Sequence, residues 1–450
     1  MNGFDLAYLA ASPLLLGKKR EGWRERLGYV DGIPAKNKPR VMLHAVSVGE
    51  VNALRHLVPL LVREPIELVV TASTDTGLAR ARELFAKQAI VLRYPVDLSR
   101  SVRRFLDAVR PDVVGLVELE VWPNFVNECE RRGVPVGVIN GRLSARSFRG
   151  YRRVRAVVGP TFRRLAFVAA QDGDYAARFE AMGVPRERIE VAGTMKWDAA
   201  ALGEPGVLLP GAAELAENLG IERGALLMVG GSTGPGEEAL LHAACVEVEK
   251  KIGRRVQLLC APRKPERFDE AAAAMAGCVR RSVTKAGSPL ADARGAMPGS
   301  DAGSVQATHP PAPSLGEGES RRTDQVGRSR FLLDTIGELR LAYSLADVVV
   351  IGRSFGDLHG SDPIEAAALG KAVVIGPRYG DFEQTVHTLR DAGGLMVVER
   401  EKLAGAIAEL LADEARRAAM GNAARAAVVA NKGASARFAG MLMGWLKLGA

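Results

Sequence analysis

Several short segments of this chain place carboxylates or cations directly after an apolar run, where a loop turns toward a helix. In H-A-V-S-V-G-E, residues 44–50, apolar β-branched residues give way to Ser47 and Gly49, and Glu50 stands at the expected helix start. V-E-L-E-V-W-P-N (117–124) offers Glu118 and Glu120, N-G-R-L-S-A-R-S-F (140–148) offers Arg142 and Arg146, and G-T-M-K-W-D (193–198) offers Lys196. A helix N-terminus stabilises a carboxylate in its charged form, which a general base requires. The same position suits a plain dipole partner worth about 0.3–1 kcal/mol, so both roles stay open for Glu50 at this point.

The second half repeats the arrangement with groups that suit anions and sugars. G-G-S-T-G-P-G-E-E (230–238) puts Ser232 and Thr233 in a small-residue turn whose backbone N–H groups can hold a phosphate, although the Walker lysine is missing and a ligand-free glycine turn fits as well. A-P-R-K-P-E-R-F (261–268) follows with Pro262, Arg263, Lys264 and Arg267, and D-T-I-G-E-L (334–339) with Ile336, Gly337 and Glu338. G-R-S-F-G-D-L-H-G-S-D-P-I-E (352–365) ends on Asp362, Pro363, Ile364 and Glu365, with Asp362 read as a helix N-cap and Pro363 as the first helical residue. Capping explains Asp362 alone, but four successive polar loops point to a nucleotide site.

The elements that must carry these loops alternate along the chain. Strand-like runs are expected at 41–46, 67–72, 112–117, 134–139, 165–170 and 189–192, then again at 225–229, 256–260, 331–333, 347–351, 372–375 and 395–398. Several are apolar throughout, as strands covered on both faces should be. The length of 450 residues exceeds what one core usually supports. The fold class expected is therefore α/β, with two Rossmann-like domains facing each other across a cleft and loops at the strands' carboxyl ends.

The domains are placed at 31–202 and 207–425, joined by Gly203-Glu204-Pro205-Gly206, with residues 426–450 as a C-terminal helix packing back across the first domain. Residues 282–330, rich in Gly, Ser, Pro and Ala, read as a disordered insertion. Residues 1–30 combine an apolar stretch, too short to span a bilayer, with Lys18-Lys19-Arg20 and Trp23; a helix in an anionic membrane interface and an ordinary packed helix both fit. The net charge of +9 lies in basic clusters without interleaved aromatics or a nucleic-acid-binding signature, so no nucleic-acid partner is expected. Cys129, Cys245, Cys260 and Cys278 stand apart, without metal-ligand spacing, and read as reduced packing residues; no metal and no cofactor is expected.

Taken in order, these segments resemble the 3-deoxy-D-manno-octulosonate (Kdo) transferases of lipopolysaccharide synthesis, which are two-Rossmann-domain GT-B glycosyltransferases. The resemblance covers W-R-E-R-L-G near the start, H-A-V-S-V-G-E, E-L-E-V-W-P-N, N-G-R-L-S-A-R-S, G-T-M-K-W-D, G-S-T-G-P-G-E-E, A-P-R-K-P-E-R-F, D-T-I-G-E-L, and D-P-I-E followed by G-P-R-Y-G-D-F. It implies inverting, metal-independent transfer of Kdo from CMP-Kdo to a lipid A precursor (lipid IVA). The site implied is the cytoplasmic face of the inner membrane, on an anionic surface, with peripheral or N-terminal anchoring.

It also implies Glu50 as the catalytic base and Glu118 and Lys196 as transition-state stabilisers. CMP would be held by Pro262 and Arg263, by Ile336, Gly337 and Glu338, and by Asp362, Pro363, Ile364 and Glu365, with Ser232 and Thr233 as further nucleotide contacts. Ser47, Arg142 and Arg146 are candidates for the acceptor. The chain departs from the family's pattern at four histidines, where it carries Gly234, Lys264, Ser361 and Arg378, and at an asparagine, where it carries Asp362. These departures keep two alternatives open: a GT-B transferase or epimerase using another nucleotide sugar, and a catalytically silent lipopolysaccharide-binding protein.

Overall fold

A computed structural model describes residues 3–10, 22–204, 206–286 and 329–448. The chain forms two units, one of Met1–Ala199 with Asn431–Ala450 and one of Ala200–Ala430. In the first, strands β1 (Arg40–Ala45), β2 (Glu67–Ala72), β3 (Ile90–Arg93), β4 (Val113–Val117), β5 (Val136–Gly141), β6 (Phe167–Ala170) and β7 (Ile189–Val191) lie in the order β3-β2-β1-β4-β5-β6-β7. Every pairing is parallel. The chain builds β2 and β3 to one side of β1, then returns to lay β4 on the other, so the β1/β4 boundary is a topological switch point.

Alternate residues of β1 feed opposite layers. Val41 and Leu43 join a core with Leu54, Val70 and the closing helix residues Phe438 and Leu442. Met42 joins one with Phe105, Val114, Phe125 and Val138. This period-two division explains why the strands read as continuous apolar runs. The W-R-E-R-L-G segment is structural: Arg26 is buried and pairs with Asp75 at 3.1 Å. Gly28 has φ 82°, and a Cβ there would meet the Ser101 carbonyl, so only glycine allows the approach.

The second unit contains β8 (Leu226–Thr233), β9 (Val256–Pro262), β10 (Val279–Arg280), β11 (Arg330–Leu332), β12 (Val348–Ile351), β13 (Ala372–Ile375) and β14 (Leu395–Val397). Their order is β10-β11-β9-β8-β12-β13-β14, again all parallel, with the switch point between β8 and β12.

Several sequence expectations need correcting. β3 and the two-residue edge strand β10 were not among the expected runs. The supposed linker begins inside the second unit, where Gly203 N donates to Ala368 O and Gly203 O accepts from Arg425 Nε. Helix Arg281–Ala286 and strand β11 occupy the margins of the expected insertion, whose interior, 287–328, lies outside the described residues.

The closing helix is Ala434–Leu448 rather than 426–450 and packs within the first unit. Helix Gly3–Ala10 is tied into that unit as well, because buried Asp5 accepts from the Ser99 backbone and hydroxyl, both at 2.8 Å. Residues 1–30 are thus not wholly a membrane-facing segment; Lys18-Lys19-Arg20 lies outside the described residues. Among the described residues, no helix is long and apolar enough to cross a membrane.

Candidate active site

At the first unit's switch point, β1 ends at Ala45 and the next helix runs Val48–Ala53 with Ser47 as its N-cap. Glu50 stands in the first turn and reaches back: one oxygen accepts the Val46 N–H at 2.8 Å, the other the Ser47 hydroxyl at 2.9 Å. This is a close variant of the capping box, and it fixes the Glu50 side chain against its own loop. Ser47, expected to meet an acceptor, instead spends its proton on Glu50; it positions the carboxylate.

Glu118 follows β4, directly across the switch point, with a left-handed backbone at φ 62°. Burial pushes its carboxyl above the ordinary range and the charge of Glu50 adds to the effect, while Arg142 and Lys196 oppose it. Burial also raises Glu120, to about 7; its hydrogen bond from Trp122 Nε1, 2.8 Å long, pulls the other way, and Glu50 and Glu118 push further up. The expected residues Glu50, Glu118, Arg142 and Lys196 therefore share one electrostatic neighbourhood. Such a cluster can take up or hold a proton near neutral pH while keeping cations at hand.

Asn140 was not singled out from the sequence, yet it organises this end of the sheet. It is buried with φ 51°; its side-chain oxygen accepts Met195 N at 3.2 Å and its carbonyl accepts from Gln171 Nε2 at 3.0 Å. It thereby holds the turn that presents Lys196. Asp198 anchors the same turn from the other side by accepting Gly433 N and Ser435 N at the start of the closing helix. Arg146 lies exposed on helix Ala145–Arg153, which buries no residue fully and carries Arg149, Arg152 and Arg153 as well.

His44 carries no chemistry here. It is fully buried, stacked on Tyr94 at 3.6 Å, and burial drops its pKa to about 3. Thr71 Oγ1 gives its proton to Leu43 O and so accepts from His44 Nδ1–H, which assigns the tautomer. Cys129, Cys245 and Cys260 are buried free thiols, and Cys278 is half-buried.

In the second unit, Glu237 fills the anion cradle that the glycine loop was expected to offer a phosphate. Its two oxygens accept the N–H groups of Gly234 at 2.7 Å, Arg353 at 2.6 Å, Ser354 at 2.8 Å and Phe355 at 3.0 Å. Thr233 is fully buried and donates its hydroxyl to Glu238, so its side chain is removed as a nucleotide contact. Arg267, read as an anion contact, is paired with buried Glu238 and with Glu270, each at 2.9 Å, and is structural. Ser232 is nearly buried, with φ 55°.

Arg263 is exposed at the end of β9. Burial raises Glu365, the nearby charge of Asp362 raises it further, and Arg340 and Arg263 oppose the shift, so these four groups share one neighbourhood. Asp362 accepts Ile364 N at 2.9 Å, as a capping carboxylate does, although Pro363 rather than Asp362 occupies the N-cap position. Pro262 and Ile364 are buried, whereas Ile336 and Gly337 are exposed. Glu338 pairs with Arg281 at 2.9 Å and accepts the Thr335 hydroxyl.

Left-handed backbone gathers at these same strand ends. Of the five non-glycine residues with positive φ among the described residues, Glu118, Asn140, Ser232 and Arg353 stand at the carboxyl ends of β4, β5, β8 and β12; Arg110 merely ends a helix. At Glu118, Ser232 and Arg353 this costs about 1–2 kcal/mol each, and such strain collects where function over-determines the backbone.

Two doubly wound parallel sheets with polar loops at their switch points make up a GT-B fold. A glycosyltransferase from Rickettsia africae has the same fold, with a TM-score of 0.56 at 13% identity, covering 91% of this chain and 99% of that one. The family model for 3-deoxy-D-manno-octulosonic-acid transferase matches residues 21–199. The 3-deoxy-D-manno-octulosonic acid transferase of Bordetella pertussis is 32% identical over 423 residues, 92% of this chain and 89% of that protein. That of Haemophilus influenzae is 26% identical over 432 residues, 95% and 92% of the two chains. The chain belongs to the Kdo transferase family.

Proposed function

We propose that this enzyme transfers Kdo from CMP-Kdo to a lipid A precursor in lipopolysaccharide biosynthesis, with inversion and without a metal, at the cytoplasmic face of the inner membrane. The observation that carries this reading is the Glu50, Glu118, Arg142 and Lys196 neighbourhood at the switch point of the first unit. Glu50 takes the proton of an acceptor hydroxyl as that oxygen bonds to the anomeric carbon, and the bond from that carbon to the CMP phosphate breaks. Glu118 opposes positive charge developing on the donor sugar, and Lys196 opposes negative charge on the departing phosphate.

Pro262, Arg263, Ile336, Gly337, Glu338, Asp362, Pro363, Ile364 and Glu365 hold CMP in this reading, with buried Pro262 and Ile364 contributing backbone rather than side chain. The exposed arginines 142, 146 and 149 meet phosphates of the acceptor and of an anionic lipid surface. The test is to mix purified protein with CMP-Kdo and lipid IVA, then follow CMP release and the mass of the lipid. A gain of one or more Kdo units supports the reading; no gain where another family member gives product rejects it.

A further inference from the structure

Three of the four positions where the family's histidines are replaced meet around Arg353, a residue no motif assigns. Gly234 N and Arg353 N donate to the same oxygen of Glu237. Ser361 Oγ lies 3.4 Å from Ser232 O, and the preceding Gly360 donates to Arg353 O at 2.8 Å. Arg378 N donates to the carbonyl of Ser354, the next residue, at 3.0 Å. Arg353 follows β12 and faces the end of β8 across the second unit's switch point, where α/β folds bind ligands.

The residue is unusual in three ways. It is an arginine in left-handed backbone, φ 60°. Its side chain crosses the space left at Gly234: a Cβ there would lie 3.3 Å from Arg353 Cγ and 3.1 Å from Leu358 Cδ1. Any side chain at 234 would therefore press on Arg353 and Leu358, which would have to give way. Finally, Arg353 is half-buried, yet its guanidinium makes no hydrogen bond or ion pair among the described residues. The two buried arginines of this unit among the described residues, Arg281 and Arg330, each hold a carboxylate. A strained, partly desolvated cation with no internal partner is compensated when an anion binds.

We infer that Arg353 binds an anionic oxygen of the nucleotide-sugar donor, supplying at the β8/β12 switch point the polar group that Gly234 cannot offer. The inference rests on the donor reading above. The oxygen belongs either to the phosphate or to the sugar carboxylate, and guanidinium recognises both.

Calorimetric titration of the full-length protein with cytidine, CMP and CMP-Kdo tests this. Arg353→Gly suits the left-handed backbone, so its melting temperature should equal or exceed that of the wild type. If the phosphate is the partner, R353G weakens CMP and CMP-Kdo at least tenfold and leaves cytidine unchanged. If the carboxylate is the partner, only CMP-Kdo weakens. Arg353→Gln, which keeps the strain and the aliphatic stem, must weaken the same ligand; a loss confined to R353G rejects the role of charge. Affinities for CMP and CMP-Kdo within twofold of wild type in both variants overturn the inference alone. A wild-type protein that binds neither ligand overturns the donor reading and the inference with it.

Discussion

Replacing Glu237 by Gln should unlock the loops that form the second unit's switch point. Glu237 is 2% exposed and serves four backbone N–H groups, at 2.6–3.0 Å. Gln offers one oxygen, so one pair of N–H groups meets an amide NH₂ instead of an acceptor. Hydrogen bonds to a charged group contribute about 1.5–3 kcal/mol each, so losing two costs about 3–6 kcal/mol, a large share of the roughly 5–15 kcal/mol of a typical domain. At about 1.4 kcal/mol per factor of ten, amide exchange at Gly234, Arg353, Ser354 and Phe355 should accelerate by at least ~100-fold. Hydrogen exchange with residue-level readout measures this directly. Glu270→Gln is the control: that carboxylate is largely exposed in its pair with Arg267, and its loss should leave exchange at those four amides unchanged. If Glu237→Gln changes the four amides by less than about fivefold, this carboxylate does not hold the loops together.

Asn140→Ala should free Met195 N and loosen the Lys196 turn, lowering transfer at least tenfold while CMP affinity, which the proposed reading assigns to the second unit, stays within twofold; titration and a turnover assay separate the two. Glu120 and Asp97 both have carboxyls raised to about 7, chiefly by burial. An acid whose folded pKa lies above its unfolded one adds stability that is full below the unfolded value, near 4, and lost as pH rises through about 7. Wild-type urea midpoints should therefore fall between pH 5 and pH 8, and Glu120→Gln should fall less; an equal or larger drop contradicts the assignment. Asp5→Ala should expose the Ser99 amide to exchange and detach helix Gly3–Ala10, without altering protection at Glu50.

Twelve of the fourteen strands coincide with apolar runs legible in the sequence, because strands buried on both faces must be apolar throughout. β3 escaped because I-V-L-R follows a helix end with no break in pattern, and β10 because two residues carry no period. Strand order and switch points are not written in periodicity; they come from long-range pairing. The candidate site was legible only as placement, where spacing put a carboxylate after a strand, as for Glu50 and Glu118. It was not legible where a polar residue works inward. Arg267 looks like an anion contact in the sequence, yet it, Glu237 and Glu238 serve the loops themselves, and Asn140 and Arg353 show their meaning only through left-handed backbone and partners far along the chain.

Glu50 is the proposed base of the Kdo transfer. Its most direct test is a single-turnover reaction of Glu50→Ala with CMP-Kdo and lipid IVA, read by the mass of the lipid, with CMP-Kdo binding titrated on the same preparation. Donor binding should persist within a few-fold while the Kdo-bearing product disappears. Product formed at the wild-type rate by Glu50→Ala would contradict it.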